Sequence, residues 1–398
     1  MNNKKVRLKF IYVYLFSWVF FSVSGFAKDD FNTESGNFFN LSLHSEVGQT
    51  DNFLFTNQHE QQTSFITLSP SLALQTQFDN QLFNLEFESE HIKFQDFSKD
   101  DHTNYTLAPR YQFKIAANKA FFIKTTIANI YENRGTGLTL GKANLLTKGD
   151  KRESSDFSVG YMYGSQTSVA KLTAELGQYT HQYNTRRDQT YLLDQQKRYA
   201  NISFDYLLSG QSYLATNIAF ENITFEHNNV LNKKKYTALA GMKWQTTEIS
   251  QLALLLGYQQ IKFAQTAFHD DDGFKWRFDW QWHPIYSTKV VISTERDFQE
   301  ANRLSNSYRI VDNFDIKLTS RLSDLFNATA IVGTKREKII YQQGKEKEHF
   351  LYSQFTVQYQ RNEWLSFYLK YQYQDLDASE IMLDYQRNSI SIGFDVTL

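Results

Sequence analysis

Tyr385-Gln-Arg-Asn-Ser-Ile-Ser-Ile-Gly-Phe-Asp-Val-Thr-Leu398 closes the chain. From Ile390 every second residue is apolar: Ile390, Ile392, Phe394, Val396 and Leu398. Ser389, Ser391, Gly393, Asp395 and Thr397 between them are small or polar. Successive side chains of a strand point to opposite faces, so this stretch has one oily face and one wet face. A sheet ending on such a strand has an open edge unless its last strand pairs with its first. That pairing closes a barrel, and alternation that runs to the final residue is how bacterial outer-membrane barrels end. The expected fold is therefore all-β: a transmembrane antiparallel up-and-down β-barrel. Ile390, Ile392, Phe394, Val396 and Leu398 are then also the stretch that the barrel-assembly machinery would read.

The composition agrees with that expectation. Of 398 residues 41% are hydrophobic, yet the mean hydropathy is −0.52, so apolar residues are spread thin rather than gathered in blocks. Aromatics reach 16%, and barrels place such an excess in girdles at the two membrane interfaces. Three prolines leave few strands interrupted. The absence of cysteine removes disulfide frameworks, zinc–thiolate sites and cysteine nucleophiles together.

Residues 1–27 read as a secretory signal peptide. Lys4, Lys5, Arg7 and Lys9 precede an apolar core over residues 10–21, and Gly25-Phe26-Ala27 places small residues at −3 and −1 of a cleavage site before Lys28. The core falls short of the ~20 residues of a spanning helix, which argues against an uncleaved anchor. Residues 28–37 are a short polar periplasmic lead-in, and 38–398 the barrel. The full chain carries a net charge of −1, and losing the four basic residues of the leader takes it to −5. No basic surface remains for nucleic acid.

Working back from the last strand, alternating segments of 10–15 residues recur along the whole chain. They flank short turns near residues 78–80, 117–119, 165–167, 210–211, 283–285, 323–324 and 361–363. The longer connections fall at residues 49–62, 134–152, 183–195 and 376–384. Short turns alternating with long loops are the asymmetry of periplasmic and extracellular connections. The segments count to about 18 strands, with 16 as the alternative if one weak pair is a loop. Pro70 and Pro109 fall inside strands, where a missing N–H costs a ladder bond, and are expected to sit in bulges.

Residues 82–96 and 103–116 show which face is wet. Phe83, Leu85 and Phe87 share one face, with Glu86, Glu88 and Glu90 on the other; in the partner strand Arg110 and Lys114 stand opposite the aromatic face. A connection centred near residue 100 would set Glu90 against Arg110 and Glu86 against Lys114. Charges must face the lumen, because one on the lipid side costs ~2–4 kcal/mol at mid-depth. The same parity places Lys171, Glu175, Asp205, Lys370 and Arg387 inside. Two readings of this lining stand side by side: a wall that tunes passing solutes, and ion pairs that brace a wide barrel.

No nucleophile elbow, phosphate loop or His-Glu-x-x-His motif occurs, and the nine histidines lack metal-ligand spacing. No catalytic residue, metal or cofactor is expected. His269-Asp270-Asp271-Asp272-Gly273 reads as a solvated loop tip, and Lys233-Lys234-Lys235 as a strand rim near lipid phosphates.

Ser45-Glu-Val-Gly-Gln-Thr-Asp-Asn-Phe-Leu-Phe55, the Leu68-Ser69-Pro70 step and Glu132-Asn133-Arg134-Gly135 resemble motifs of the β-barrel porin type 2 family, which includes barrels encoded with exopolysaccharide genes. The resemblance covers nearly the whole mature chain and implies an outer-membrane channel or export component linked to surface polysaccharide. Barrels of this kind end on Phe, whereas this one ends on Leu398. Two other readings stay open: a plugged barrel serving as a structural or binding surface, and a barrel that hydrolyses lipid or peptide. The expected partners are outer-membrane lipid and lipopolysaccharide, the barrel-assembly machinery, and polysaccharide or export partners.

Overall fold

The computed structural model describes residues 37–398 apart from 166–167 and 248. The segment expected to be a signal peptide, residues 1–27, and nearly all of the expected lead-in, residues 28–37, lie outside the described residues. Eighteen strands follow one another: β1 (Phe38–Thr50), β2 (Thr63–Phe78), β3 (Gln81–Phe94), β4 (His102–Ala116), β5 (Lys119–Glu132), β6 (Asp150–Tyr163), β7 (Ala170–Tyr183), β8 (Gln195–Ser209), β9 (Ser212–Phe225), β10 (Lys233–Thr247), β11 (Ser250–Phe263), β12 (Asp271–Ile285), β13 (Thr288–Glu300), β14 (Asn306–Arg321), β15 (Phe326–Tyr341), β16 (Lys345–Gln360), β17 (Leu365–Ala378) and β18 (Tyr385–Thr397). Each pairs antiparallel with its sequence neighbours, and β1 pairs with β18, so the sheet is one closed barrel. The start of β1 and the end of β18 lie beside the short turns, which marks that rim as periplasmic.

Alternation decides the two faces. Outward residues of β18 are exposed, as at Ile390 (52%) and Ile392 (64%), while Ser389 and Ser391 between them are buried inside. In water each such side chain would cost on the order of 1.5–3 kcal/mol; in hydrocarbon it costs nothing.

The barrel closes through a polar cluster. Strand β1 meets β18 from Ser42↔Thr397 to Thr50↔Ser389. Inside that seam the Lys370 ammonium lies 2.6 Å from the Glu46 carboxylate, which also accepts hydrogen bonds from the Tyr368 hydroxyl (3.2 Å) and the Ser391 hydroxyl (3.0 Å). His44 contacts the Asp395 carboxylate at 2.6 Å and the Tyr368 hydroxyl at 2.6 Å. The first strand is thus tied to the last two by charge as well as by backbone.

Inward aromatic rings lie over glycines directly opposite on the next strand: Phe122 on Gly160, Tyr199 on Gly177, Tyr352 on Gly333 and Tyr368 on Gly393. A Cβ at Gly393 would come 2.2 Å from the Ser45 carbonyl oxygen and 2.4 Å from the Tyr368 hydroxyl. Gly393→Val is therefore expected to displace Tyr368 and cost about 1–3 kcal/mol. The readout is a lower urea midpoint for loss of the heat-modifiable folded band, and an unchanged midpoint would refute it.

Several details differ from the sequence reading. Neither Pro70 nor Pro109 makes a bulge. The β2–β3 register is the same before and after Pro70, and the β4–β5 register the same before and after Pro109; each ladder simply lacks pairs for two residues. Both prolines stay paired on their other side, Pro70 with Leu43 and Pro109 with Leu85. The barrel accepts a missing donor without inserting a residue. Register shifts occur elsewhere, as between Lys114 and Ala116. The turn expected at 283–285 is strand, and β12 runs on to Ile285. In the β3–β4 hairpin Glu90 stands opposite Asn104 and Glu86 opposite Ala108, not opposite Arg110 and Lys114. The hairpin centres three residues earlier than expected, because residues 98–100 form a 3-10 turn and β4 begins at His102. That offset changes partners but leaves every side chain on its face.

Candidate functional site

The outer mouth is roofed by connections that fold inward. Its centre is the connection of residues 133–149 between β5 and β6. Leu138 of this segment packs on the cluster of Tyr183, Leu193, Ile223, Phe225, Leu231 and Ala301, while Leu140 packs on Phe55, Phe350, Leu376 and Tyr385. The strand residues of the first cluster lie on β7 and β9 and those of the second on β16–β18, widely separated parts of the wall, while Phe55, Leu193, Leu231 and Ala301 sit in connections, so the segment crosses the lumen.

A buried ion pair anchors this roof. The Arg134 guanidinium donates to both oxygens of Asp100, from Nη2 at 2.6 Å and from Nε at 3.0 and 3.1 Å, and from Nη1 to the Leu146 carbonyl at 2.8 Å. The Tyr131 hydroxyl (2.7 Å) and the Gly149 N–H (3.2 Å) also donate to Asp100. The carboxylate is wholly buried, and charge-assisted hydrogen bonds of this kind are the strong ones. Arg134 also lies over the Phe53 and Phe97 rings, at 5.6 and 5.4 Å.

The connection of residues 51–62 is pinned beside it. The Asn388 side chain and N–H both donate to Asp51 at 2.7 Å. Asn52, wholly buried, donates to the Gln386 carbonyl at 2.8 Å and to the Thr56 carbonyl at 2.7 Å. Gly135 takes a positive φ of 82°, and a Cβ there would lie 2.0 Å from the Leu54 carbonyl oxygen. Two stretches singled out in the sequence, Asp51-Asn52-Phe53 and Arg134-Gly135, thus meet in one clasp. At the neighbouring connection, hydrogen bonds from Arg186 to Asp150 (Nε–Oδ1 2.9 Å) hold the Arg186 guanidinium pKa above its ordinary value.

Under the roof lies a cavity of 1480 Å³, bounded by Thr136 and Gly137 above and reaching Gly210 and Gln211 at the periplasmic rim. Its described lining carries eleven carboxylates and twelve lysine or arginine side chains. Many of these form cross-strand pairs: Lys243 with Asp205 (2.7 Å), Lys235 with Glu221 (3.1 Å), Lys197 with Glu221 (3.6 Å), and Lys275 with Asp297. A second hollow, of 30 Å³, separates the roof from the wall near Arg303, Lys335 and Glu348.

Of the sequence candidates, Glu88, Glu90, Lys171, Glu175, Asp205, Lys370 and Arg387 line the large cavity. Glu86, Arg110 and Lys114 lie outside its lining. Glu90 accepts a hydrogen bond from Asn104 at 2.9 Å. Glu46, Glu221, Lys235 and Asp297 also line it and escaped the sequence reading, although strand parity alone would have placed each inside. The lysine run 233–235 is not a rim: Lys233 and Lys235 are buried inside, Lys233 lying 2.7 Å from Glu300, and only Lys234 points outward. In the acidic run, Asp270 accepts the Phe263 N–H at 2.9 Å within the β11–β12 hairpin, and Asp271 accepts the Tyr308 hydroxyl of β14. Folding also brings Asp194, Glu226 and His227 close together, which their spacing did not suggest. Asp194 there is engaged by the Tyr183 N–H at 2.9 Å and by Arg187 at 2.5 Å.

The sequence matches the family described as "Putative beta-barrel porin 2" over residues 34–398. The chain belongs to that family. It is a porin-like barrel of the outer membrane, as the closed strand order and the lipid-facing apolar surface require. No curated protein matches the porin-like barrel at a significant level. Among solved structures it is similar to OccAB4 of Acinetobacter baumannii (11% identity, 92% of this chain and 99% of that one, TM-score 0.48). It is also similar to opdK of Pseudomonas aeruginosa (9%, 91% and 99%, TM-score 0.49) and to the siderophore receptor PirA of Pseudomonas aeruginosa (8%, 90% and 80%, TM-score 0.44).

Proposed function

We propose that the barrel is a passive channel for hydrophilic solutes, metered by the inward-folded segment 133–149, with surface polysaccharide or its fragments as the solute class. The observation that carries this reading is the charged cavity of 1480 Å³ running from beneath that segment to the periplasmic rim. Because its carboxylates and cations nearly balance, the lining is hydrated without a strong net sign, which suits uncharged polar solutes. Asn201 and Asn217, hydrogen-bonded to each other at 2.7 Å, line it with amides, of the kind sugar hydroxyls take. The family resemblance supports the polysaccharide link.

Planar-bilayer recording tests the proposal. The purified barrel is expected to give discrete conductance steps with weak ion selectivity, reduced by added oligosaccharide. Glu90→Lys replaces a negative charge on the lining by a positive one and is expected to shift the reversal potential toward anions. Unchanged selectivity in a conducting variant would show that this wall does not govern passage.

The roof also favours a second reading, a closed barrel acting as a binding or structural surface. Baseline current from the wild type, with steps only after residues 136–147 are removed, would select it.

A further inference from the structure

The outer face of β8–β11 carries a row of side chains at one height. Arg198 is opposite Asn222, Asn222 opposite Lys234, and Lys234 opposite Lys262. Adjacent strands lie ~4.8 Å apart, so three cations fall within about 15 Å on neighbouring strands. Arg198, Lys234 and Lys262 are exposed, and among the described residues no carboxylate lies within 4.0 Å of any of them. Inside the barrel, by contrast, lysines on these same strands pair with acids. Two lysines directly opposite each other repel unless an anion sits between them.

Depth is given independently of charge. Below the row stand Phe220 and Tyr236, ring centroids 5.3 Å apart, then Ile202 and Ile218, then Phe204 and Leu256, then Tyr206, Leu214 and Met242. From Ala200 to Leu208 the strand rises about 26 Å, or about 20 Å along the membrane normal at the usual tilt. That nearly fills an apolar band of ~25 Å, so Arg198 stands just beyond its outer edge, where the phosphates of the outer leaflet lie. An aromatic row directly beneath a cationic one matches the step from acyl chain to headgroup.

We propose that Arg198, Lys234 and Lys262 form a binding row for the phosphate groups of an anionic glycolipid in the outer leaflet. Asn222 adds an amide donor between the cations, and Phe220 and Tyr236 receive the first acyl segments. The proposal rests on the membrane placement and not on solute passage. Native mass spectrometry of the barrel in mild detergent, titrated with bisphosphorylated lipid A, tests it. Wild-type barrel is expected to retain the lipid, with retention falling as ionic strength rises. Each charge removed is expected to weaken retention about fivefold, both in Lys234→Gln alone and cumulatively in Arg198→Gln/Lys234→Gln/Lys262→Gln. Dephosphorylated lipid A should be retained no better by wild type than by the triple variant. The heat-modifiable band reports that each variant is folded; the single variant decides the matter should the triple fail to fold. Equal retention by folded variants and wild type would overturn the proposal. So would equal retention of dephosphorylated lipid, or displacement by millimolar inorganic phosphate, which would mark a site for free anion.

Discussion

Replacing Asp100 by alanine is expected to release the roof. The change leaves the Arg134 guanidinium, 9% exposed, without its carboxylate partner. Stranding one member of a buried pair costs about 3–5 kcal/mol. Residues 133–149 meet the opposite walls mainly through Leu138 and Leu140, worth on the order of 1.5–3 kcal/mol each when buried. The anchor is thus as large as those two contacts together, and its loss should let the segment leave the lumen while the strands stay paired. Trypsin should then cut at Arg134 or Lys142 in Asp100→Ala at least tenfold faster than in wild type, with the barrel body intact on gels. In bilayers the mean conductance should rise. Asp100→Ala/Arg134→Leu should recover part of the protease resistance, because it removes the stranded charge. Equal cutting rates in wild type and Asp100→Ala would show that hydrophobic contacts alone hold the roof.

Glu46→Ala is expected to weaken closure itself. Glu46 is 4% exposed and gathers Lys370, Tyr368 and Ser391 around one carboxylate. Without it the Lys370 ammonium, 7% exposed, faces the seam unpaired, again a loss of about 3–5 kcal/mol. The strands joined here close the sheet, so the penalty falls on the seam that completes the barrel. The urea midpoint of the folded band should drop by far more than for a lining change such as Glu175→Ala. Its counterpart Lys124 is 39% exposed at a separation of 3.9 Å, and such pairs contribute about 1 kcal/mol or less. Glu46→Leu/Lys370→Met should regain most of the stability, since removing both charges also removes the cost of burying either. A midpoint in Glu46→Ala as high as that of wild type would mean the backbone ladder between β1 and β18 suffices.

The two predictions rest on residues of different legibility. Glu46 could have been placed inside from the alternation of β1, yet nothing local connects it with Lys370, more than three hundred residues away. The bond exists because the sheet closes. Asp100 and Arg134 lie in connections, where no period operates, and only the short Glu132-Asn133-Arg134-Gly135 stretch carries a sequence signal. The β3–β4 hairpin shows the same limit on a small scale. Glu86, Glu88, Glu90, Arg110 and Lys114 share the inner face as alternation requires, but the partners differ because a 3-10 turn at residues 98–100 moves the hairpin centre. A dyad pattern survives any even offset in register, so it speaks for faces and stays silent on neighbours.

By itself the amino-acid sequence pointed to antiparallel barrel strands, about eighteen with sixteen as the alternative, the oily and wet faces, and the rim at which short turns gather. Each of these is local, being written in residues two apart or in one connection. Tertiary structure alone decided that Glu46 meets Lys370, that the segment 133–149 turns inward onto Asp100, and that Arg198, Lys234 and Lys262 align in one row. Those are contacts between distant segments, set by strand register and by loop conformation, and no period along a single chain encodes them.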